Sequence, residues 1–562
     1  MFEDAKGFII CKGLTIPDKI EAITIENDMW MVDKRLHKFK DDEILQKEGN
    51  EWFFFDGYIF NKEEICQSQN VDSWDKVFIR LMRAENCPDK LRGGFCGFWG
   101  KEGNYTLFVD HVGNRGLYYY IRDDVTVFSS NFYFIIELLK NNHITLTVNE
   151  QAVKYILEQG FMLDDSTFAN EIKRVCPGEI VKIQDNRIVS KRKYYLIDNT
   201  ERDINMTEEE AIDKIDFYFR QAVKREFDKD KEYGYKHLVD LSGGLDSRMV
   251  CWGAHKMGYT EQVNFTYCRQ NYLDFKIAQK IAIELKHTFL FMPLDDFQWY
   301  KEVDEILKKN NGAAFYSAST GCNRILKLID SRKFGIEHTG MVGDAILSTF
   351  YGNEQYNYKK PVGNENAYSQ IVRYDIPQEI LVSYENREQF SVYTRGLLGA
   401  QSSYFIRQNY IETSSPFLDV DFLNFVFKIP FKYRRKHYIY LKWIEKKYPD
   451  AADFGWEKWF GIKPKLSNLW MKRVVNTTYK YVGKANRIIG HKSNRGMNPL
   501  DYWMGKDANM QKWADNYFRE NMIYLEKVPD LKDDVEKVFN RGTASEKSQA
   551  ITVLIMIKYI CI

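Results

Sequence analysis

Residues 237–250 read HLVDLSGGLDSRMV, an apolar run followed by a glycine-rich turn and then by a segment that can be helical. The apolar strand is predicted to end at Ser242, and Gly243 and Gly244 permit backbone conformations that a side chain would forbid. The helix that follows directs its unpaired N–H groups and positive dipole end at the loop, and the hydroxyls of Ser242 and Ser247 add donors. The stretch therefore predicts an anion-binding loop.

Asp246 lies inside this loop and refines the prediction. Its carboxylate would repel a bare phosphate, so its presence makes sense if a divalent cation bridges it to the anion. The loop differs from the mononucleotide P-loop GxxxxGK[ST], because the spacing is wrong and the lysine is missing. The alternative is an ordinary strand–turn–helix connection in which Asp246 is a helix-start residue.

The segments around the loop indicate two regions of different character. Up to about residue 200 the chain has aromatic and β-branched runs broken by Gly, Asn and Asp, with helical stretches near 74–84 and 149–159. A helical period begins at MTEEEAIDKIDFYF, where Thr207 and Glu210 have capping-box spacing. The runs KHLVDLS, QVNFTYC, HTFLFMPL and FGIEHTG then alternate with helical segments, which predicts a mostly parallel sheet. After about residue 395 the pattern is helical.

Composition excludes several classes of protein. The 562 residues include 80 basic and 79 acidic side chains, so no overall charge favours nucleic acid or an anionic membrane as partner. The nine cysteines show no CxxC pair, which indicates a reducing compartment. We find no signal peptide and no apolar run of about 18 residues, and we interpret the terminal ITVLIMIKYICI as a buried helix, so we expect a soluble cytoplasmic protein. A basic stretch at 463–495 is interpreted as a solvated helical face, with an acidic partner or substrate as the alternative.

Four segments in order resemble the asparagine synthetase family. SGGLDS after a buried strand resembles the pyrophosphate loop of the wider ATP pyrophosphatase superfamily, and NFTYCRQNYLDFKIAQKIAIELKHTF has Asp274 at an acidic position of the family's second helix. HTGMVGDAILSTFYG resembles the second glycine loop and puts Asp344 at the metal-binding aspartate. RQNYIETSSPFLDVDFLNFVFKIP resembles the EVRVPFLD segment and puts Glu412 at the glutamate that contacts the reacting intermediate.

The resemblance implies ATP and Mg²⁺ as cofactors and a two-step reaction. A substrate carboxylate attacks the α-phosphate and releases pyrophosphate, and an amine then displaces AMP. Asp246 and Asp344 are the implied metal ligands, and Glu412 and Lys458 the implied catalytic residues, with Lys458 preferred over Lys463 in the segment FGWEKWFGIKPK. For Glu412 and Lys458 the alternatives are a surface acid and an ordinary solvated lysine. The implied ATP-binding residues are Ser242, Gly243, Gly244, Asp246, Ser247 and Gly343.

Residues 1–195 resemble the family's other half, a class II amidotransferase domain. The matching segments are DGYIFNKEEI, LRGGFCGFWG, FVDHVGNRGLYYY, SSN at 129–131 and KRVCPGEIVKI at 173–183. A working glutaminase of this class exposes a cysteine as first residue after methionine removal, whereas residue 2 here is Phe2 and Cys11 lies in an apolar run where a buried inert thiol is expected. The RGPD string is absent and the usual NGE is replaced by Asp56 and the two residues after it. Unless processing before Cys11 exposes a nucleophile, we expect glutamine hydrolysis to be missing.

The sequence therefore predicts an α/β protein with an N-terminal αββα Ntn-hydrolase-like sandwich, 1–200, and a parallel-sheet ATP-pyrophosphatase domain, 201–562, whose helical C-terminal extension starts near 465. We expect an AMP-forming amide ligase of the glutaminase-deficient kind represented by β-lactam synthetases and lasso-peptide cyclases. Met341, Val342 and Ala345 depart from the family's second loop and put aspartate as substrate in doubt.

The expected partners are a small-molecule or peptide carboxylate and an amine, with no nucleic acid, no membrane and a homodimer as the candidate assembly. One alternative is an asparagine synthetase that uses ammonia, or glutamine after processing. The other is a catalytically idle binding homologue.

Overall fold

A computed structural model describes the protein over residues 2–3, 5–17, 20–26, 28–84, 88–101, 103–318, 320–475, 477, 494 and 496–561. Of the predicted basic stretch at 463–495, residues 476, 478–493 and 495 lie outside the described residues. Most of the described residues of this stretch are those up to 475. Among them, Trp470 and Val474 are exposed.

Two antiparallel sheets form the first part of the described chain. Their orders are β10-β8-β9-β1-β3-β2 and β12-β11-β7-β6-β5-β4, with six strands each. The strands are β1 (Phe8–Lys12), β2 (Ile23–Glu26), β3 (Met29–Asp33), β4 (Ile44–Glu48), β5 (Glu51–Ile59), β6 (Gly93–Lys101), β7 (Asn104–Val109), β8 (Tyr118–Arg122), β9 (Val125–Ser129), β10 (Ile172–Arg174), β11 (Glu179–Gln184) and β12 (Arg187–Lys193).

Helices cover the outer faces of both sheets, so the layers run α, β, β, α. The helices are α1 (Lys62–Gln69), α2 (Trp74–Arg83), α3 (Phe132–Asn141) and α4 (Glu150–Glu158). Because side chains alternate along a strand, Phe54 of β5 packs between the sheets while Phe53 and Phe55 pack on the α1–α2 side. The predicted sandwich and the helices near 74–84 and 149–159 are confirmed. The sequence missed α3, which begins with the apolar run FYFII and therefore resembles a strand over its first residues.

The second part contains a five-stranded sheet in the order β15-β14-β13-β16-β17, with every neighbouring pair parallel. The strands are β13 (Lys236–Asp240), β14 (Gln262–Cys268), β15 (Thr288–Pro293), β16 (Phe334–His338) and β17 (Glu412–Ser414). β13 ends at Asp240, before the predicted end at Ser242, because the Ser242 N–H leaves the sheet and donates to Ser247. β13 is the first of these strands along the chain, and the later strands lie on both sides of it, β14 and β15 on one side and β16 and β17 on the other. The direction in which strands are added to the sheet therefore reverses at β13. Ligands of parallel α/β sheets bind at the carboxyl ends of strands at such a point.

The remaining helices are α5 (Glu208–Glu232), α6 (Leu245–Lys256), α7 (Leu273–Glu284), α8 (Val303–Asn310), α9 (Thr320–Leu326), α10 (Gly343–Leu347), α11 (Glu354–Asn357), α12 (Gln378–Val382), α13 (Arg387–Ser391), a π-helix (Val392–Gly399), α14 (Ser403–Arg407), α15 (Val420–Val426), α16 (Phe431–Arg434), α17 (Tyr438–Lys447), α18 (Leu500–Lys506), α19 (Ala508–Asn521), α20 (Lys532–Arg541) and α21 (Ala544–Cys561). Thr207 caps α5 by accepting the Glu210 N–H at 3.2 Å. The Glu210 carboxylate in turn accepts a hydrogen bond from the Thr207 backbone N–H and also pairs with Lys214, so the predicted capping box is confirmed.

The C-terminal helices pack against the sandwich as well as the second part. Gln549 of α21 donates to the backbone carbonyl of Ile156 in α4 at 2.9 Å, and one hydrophobic cluster contains α3, α4, α8 and α21. The core therefore crosses the predicted boundary near residue 200, although the sandwich strands end at Lys193 and α5 begins at Glu208. Across the described residues, no helix combines the length and apolarity that crossing a bilayer requires.

A buried ionic network fixes α5 to the parallel sheet. His338 at the end of β16 lies between Glu226 at 3.1 Å and Asp230 at 2.9 Å, and His237 also contacts Asp230 at 3.1 Å. Burial alone would lower the pKa of His338, but the hydrogen bonds and charges of Asp230 and Glu226 raise it to about 9. A protonated imidazole has no free lone pair, so these side chains form a hydrogen-bonded network at neutral pH.

We predict that His338→Asn destabilises the protein by about 3–5 kcal/mol, because it leaves two buried carboxylates without their cation. The midpoint of urea unfolding measures the effect. His143→Asn is the matched control, since His143 is exposed and asparagine tolerates its left-handed backbone.

The same network predicts the pH dependence of this difference. The folded pKa of about 9 exceeds the unfolded value of roughly 6.5, so the contribution of His338 is full below about pH 6.5 and is lost as pH rises through about 9. The gap between parent and variant should narrow over that range. A constant gap would contradict a charged His338.

Candidate active site

The turn between β13 and α6 is held by its own two serines. The Ser247 hydroxyl accepts the Ser242 N–H at 2.9 Å and lies 3.0 Å from the Ser242 hydroxyl, which in turn accepts the Gly244 N–H at 3.2 Å. Helix α6 begins at Leu245 after Gly244, which has no side chain to cap it. The turn therefore has a defined shape and presents the amino end of α6 at the carboxyl edge of the sheet.

A second glycine loop, residues 339–343 after β16, lies directly on this turn. A Cβ atom at Gly340 would lie 2.3 Å from the Ser247 backbone nitrogen, and one at Gly343 would lie 2.8 Å from the Asp246 carboxyl carbon. Val342 has a left-handed backbone with φ of 64°. For a β-branched residue that conformation is strained, so the surrounding contacts hold it in place.

The contact of the two loops brings Asp246 and Asp344 together. Tyr440 donates a hydrogen bond to Asp246 at 2.7 Å, and the Asp344 backbone N–H also donates to that carboxylate. Burial, followed by the charge of Asp344, raises the pKa of Asp246 to about 8. The ionised form of Asp246 is therefore disfavoured at this site, and a nearby cation would favour it.

Asp344 has the opposite environment. Lys458 donates to its carboxylate at 2.9 Å, and His437 lies 3.7 Å away. Burial raises its pKa, but the nearby His437 and Lys458 outweigh that effect and hold the pKa well below the usual range. Asp344 is therefore ionised across the neutral range.

A second acidic pair lies on the other side of the turn. Asp274 at the start of α7 accepts the Gly243 N–H at 2.9 Å, and burial together with the charge of Glu457 raises its pKa to about 7. Tyr272 donates to the Glu457 carboxylate, and the Glu457 backbone N–H donates to the Gly243 carbonyl at 3.2 Å.

Arg248 fixes the segment that carries Glu457 and Lys458. Its guanidinium is fully buried and donates to the backbone carbonyls of Ala451 and Phe454 at 3.1 Å and also to Gly455. Burial lowers its pKa to about 10, so it remains charged at neutral pH. One residue of α6 thus positions a lysine more than 200 places away in the chain.

The structure brings most of the predicted site residues together. They are Ser242, Gly243, Gly244, Asp246, Ser247, Gly343, Asp344 and Lys458. Lys463, the alternative to Lys458, instead contacts Asp453 at 3.1 Å. The arrangement offers two adjacent carboxylates for a divalent cation and a lysine beside them for an anion.

Glu412 is not among the residues that these contacts bring together, and its predicted catalytic role stays a prediction. Glu412 begins β17 and pairs with Ile336, which lies two residues before the end of β16. Both loops leave from the carboxyl ends of their strands, so Glu412 lies two residues back from the edge of the sheet where the loops begin. Its carboxylate accepts a hydrogen bond from Arg115 of the sandwich at 2.6 Å. The register of β17 therefore directs Glu412 towards the N-terminal part.

Sequence reasoning missed Tyr440, His437, Arg248 and Glu457. Each contacts a loop residue far away in sequence, and no local spacing signals such a contact. Lys436 and His437 both have left-handed backbones, a bend that lets the start of α17 approach Asp344.

Buried thiols characterise the sandwich. Cys11 of β1 is fully buried, and burial raises its pKa. Cys96 of β6 is also fully buried, with its sulfur 4.0 Å from the Asp56 carboxylate, and its pKa is raised by burial and by that charge. The ring of Phe2 packs 4.8 Å from that of Phe134. Neither thiol is suited to act as a nucleophile at neutral pH.

Comparison with known proteins identifies the first part of the chain. Residues 23–195 match a family model described as a glutamine amidotransferase domain. The N-terminal part of this chain matches a glutamine amidotransferase domain, and the sandwich is called the amidotransferase domain below. The match begins at β2 and ends just after β12, so it covers all strands of the antiparallel sandwich except β1.

Solved structures give a weaker likeness. Glutamine phosphoribosylpyrophosphate (PRPP) amidotransferase from B. subtilis, complexed with ADP and GMP, is 11% identical over 52% of this chain and 85% of its own, with a TM-score of 0.25. An allosteric regulatory enzyme of purine biosynthesis is 10% identical over 51% of this chain and 74% of its own, with a TM-score of 0.24. No curated protein matches the chain significantly. These TM-scores are too low to carry an argument about the second part.

We predict that Gly340→Ala destabilises the protein by about 1–3 kcal/mol, because the new methyl group would overlap the backbone of Ser247. Thermal unfolding measures the loss. Gly352→Ala is the matched control, since nothing lies within 4 Å of a Cβ atom there. Equal effects of the two changes would contradict the close contact of the loops.

We also predict that Asp246→Asn stabilises the protein by about 1 kcal/mol or more at pH 8. The folded pKa of about 8 exceeds the unfolded value of roughly 3.9, so ionisation of Asp246 opposes folding increasingly as pH rises from about 4 to 8. Urea unfolding at pH 5 and pH 8, without divalent cations, should show the gain growing with pH. Asp72→Asn, at an exposed position, should change little.

Proposed function

We propose that this protein is an ATP-dependent, AMP-forming ligase that joins a carboxylate to an amine. The observation that carries the proposal is the contact between the loops after β13 and β16, which brings Asp246, Asp344 and Lys458 together at the point where the strand order reverses. The amidotransferase domain agrees with a reaction that forms a carbon–nitrogen bond.

The donor set at the loops fits Mg²⁺. Asp246 and Asp344 supply carboxylate oxygens, the ligands that Mg²⁺ prefers together with substrate phosphates, and the raised pKa of Asp246 indicates that a nearby cation would stabilise the site. When bound, Mg²⁺ would neutralise charge on the phosphate oxygens of ATP. Asp246 and Asp344 would hold it.

The residues around Asp344 are suited to a polyphosphate. Lys458 and His437 face its carboxylate, and Lys472 is close enough to Lys458 and Lys436 that their charges, after burial, lower its pKa. Two basic side chains thus face Asp344, and Lys472 and Lys436 add positive charge near Lys458, which favours an anion there. Their role in the proposed reaction is to stabilise the negative charge on departing pyrophosphate.

The proposed chemistry has two steps. An oxygen of the substrate carboxylate attacks the α-phosphorus of ATP, the bond between that phosphorus and the α–β bridging oxygen breaks, and pyrophosphate leaves with the electron pair. The amine nitrogen then attacks the acyl carbon of the acyl-adenylate, the bond to the AMP oxygen breaks, and the amine loses a proton. Glu412 is not assigned to that proton transfer, because it lies beside Arg115 and away from the loops.

The amine in this proposal does not come from glutamine hydrolysis within the chain. Cys11 and Cys96 are buried with raised pKa values, and burial disfavours the thiolate that attack on an amide would need. The match of residues 23–195 favours one second candidate, an asparagine synthetase reaction supplied with ammonia or, after processing, with glutamine.

The test is to incubate the protein with ATP, Mg²⁺ and pools of carboxylates and amines, and to measure AMP and pyrophosphate. Equal amounts of both, dependent on a carboxylate, are expected. ADP formation would contradict adenylation, and release of glutamate from glutamine would favour the second candidate. If ATP binds but no product forms, the chain is an idle binding homologue.

In the same assay we predict that Lys458→Ala lowers the rate of pyrophosphate formation by about 10²–10³-fold, because it removes a positive charge from the departing group. Its stability should change by less than about 1 kcal/mol, since the lysine side chain is 53% exposed and exposed ion pairs contribute little. Lys463→Ala is the matched control and should keep the parent rate. Similar losses in both variants would exclude the specific role of Lys458.

A further inference from the structure

Three side chains with metal-binding atoms meet under α6, near the amino ends of β14 and β15. They are Cys251 of α6, Asn264 of β14 and His287, which directly precedes β15. The two loops of the candidate active site lie at the carboxyl ends of the strands. The cluster is therefore separate from that site.

The distances between the three donor atoms are close to those around one metal ion. Cys251 Sγ lies 3.7 Å from His287 Nδ1 and 3.7 Å from Asn264 Oδ1, and the latter two atoms are 2.9 Å apart. Around a tetrahedral Zn²⁺, bonds of about 2.3 Å to sulfur and about 2.0–2.1 Å to nitrogen and oxygen separate the ligand atoms by about 3.3–3.6 Å. The three atoms thus lie within about half an ångström of the spacing that Zn²⁺ requires.

A neighbouring glutamine orients the amide of Asn264. Gln262 Nε2 donates to the backbone carbonyls of Cys251 at 3.1 Å and Tyr259 at 2.8 Å, so the Gln262 side-chain oxygen faces Asn264 and accepts from its Nδ2 at 3.4 Å. Because the amide nitrogen of Asn264 is used there, its oxygen faces Cys251 and His287. Gln262, Asn264 and Cys251 are all buried, so packing holds this arrangement.

His255 is the outer partner of His287. Its Nδ1 lies 2.8 Å from His287 Nε2. A histidine that binds a metal through one ring nitrogen usually donates its other N–H to a nearby acceptor, which fixes the ring. Burial, together with the charge of His255, lowers the pKa of His287 to about 4, so its ring is neutral at neutral pH and one nitrogen has a lone pair.

The cluster lies close to the surface of the protein. His287 is 9% exposed, His255 is half-buried and the next residue, Lys256, is exposed. β15 is an edge strand, so no other strand of the described sheet covers His287 from that side. A metal ion can therefore reach the cluster by rotation of the His255 side chain.

We propose that Cys251, Asn264 and His287 bind Zn²⁺, with His255 as a positioning residue. Zn²⁺ suits this set because it accepts thiolate, imidazole and oxygen ligands together, whereas Mg²⁺ prefers oxygen ligands. The fourth tetrahedral position is left to a water molecule. The site is distinct from the carboxylates of Asp246 and Asp344 and does not rest on the proposed function.

Binding releases one proton per metal ion. The Cys251 thiol loses its proton to solvent as the zinc–sulfur bond forms. The proton of His287 moves from Nδ1, where it is donated to Asn264, to Nε2, where it is donated to His255. His255 in turn carries its proton on Nε2 instead of Nδ1, so both rings stay neutral and only the thiol proton leaves.

The ion would fix α6 to the two strands below it. α6 begins at Leu245, directly after the glycine turn, and has Asp246 and Ser247 in its first turn, whereas Cys251 lies on its second. Zn²⁺ would thus hold the helix whose amino end forms part of the candidate active site. Because the ion binds only the folded chain in this geometry, we expect it to raise the thermal midpoint of unfolding.

The test is a titration of the reduced, metal-free full chain with cobalt chloride, in a buffer without ATP or Mg²⁺. Co²⁺ is the optical probe, because its bond to a thiolate gives a charge-transfer band in the near ultraviolet. One equivalent should produce this band, and one equivalent of Zn²⁺ should remove it, since nitrogen and sulfur sites bind Zn²⁺ more tightly than Co²⁺. Co²⁺ on Asp246 and Asp344 would give no thiolate band.

Three variants separate the roles of the side chains. Cys251→Ser should abolish the band, whereas His255→Phe should keep the band and weaken Co²⁺ binding by about 10–100-fold. Cys66→Ser is the matched control, because Cys66 of α1 is a half-buried thiol outside the cluster, and this variant should keep the parent band and affinity. Circular dichroism verifies that each variant is folded.

Absence of the thiolate band in the parent protein would overturn the proposal without any variant. A band that persists in folded Cys251→Ser would also overturn it, since the metal would then lie on another thiol. An unchanged affinity in His255→Phe would remove the positioning role of His255. The titration contains no ATP, so its result is independent of the pyrophosphate assay.

Discussion

The approach of two loops at the carboxyl edge of the parallel sheet is the constraint on which the candidate site depends. β13 and β16 are neighbours, so the turns that follow them meet, and the space between them accommodates a glycine but no larger residue at 340. This contact places the Asp246 and Asp344 carboxylates together. Their repulsion and burial raise the pKa of Asp246, so the loops hold a carboxylate whose ionised form is disfavoured.

The second constraint is the attachment of β17 to the amidotransferase domain. β17 is an edge strand, and an exposed edge offers unpaired backbone groups to other chains. Tyr58 and Asn114 of the domain both donate to the backbone carbonyl of Thr413, at 3.0 and 2.9 Å, and Arg115 pairs with Glu412. The domain thus covers the edge of the sheet. This gives it a structural role that does not require glutaminase chemistry.

These contacts also explain why the two parts share one core. The helices α18–α21 end the chain, yet α21 packs on α4 of the amidotransferase domain. Separation of the parts would expose both the apolar face of α21 and the ion pair of Arg115 with Glu412. A fixed arrangement of the parts follows.

The sequence by itself determined the elements and most of the loop site. Strand and helix periods distinguished the sandwich from the parallel sheet. The glycine turn itself selected Ser242 and Asp246, and the resemblance to the asparagine synthetase family selected Asp344. Helix α3 escaped, because its first five residues, FYFII, are all apolar and read as a strand. The capping box at Thr207 could be recognised from its local spacing.

Only the tertiary structure decided which distant side chains complete the site. Tyr440 and His437 join the predicted Lys458 at the two aspartates because α17 and the segment held by Arg248 fold back over the loops. The register of β17 places Glu412 beside Arg115 of the sandwich. Local sequence encodes period and turn chemistry, whereas strand register and long-range ion pairs result from packing of the whole chain, and no short motif records them.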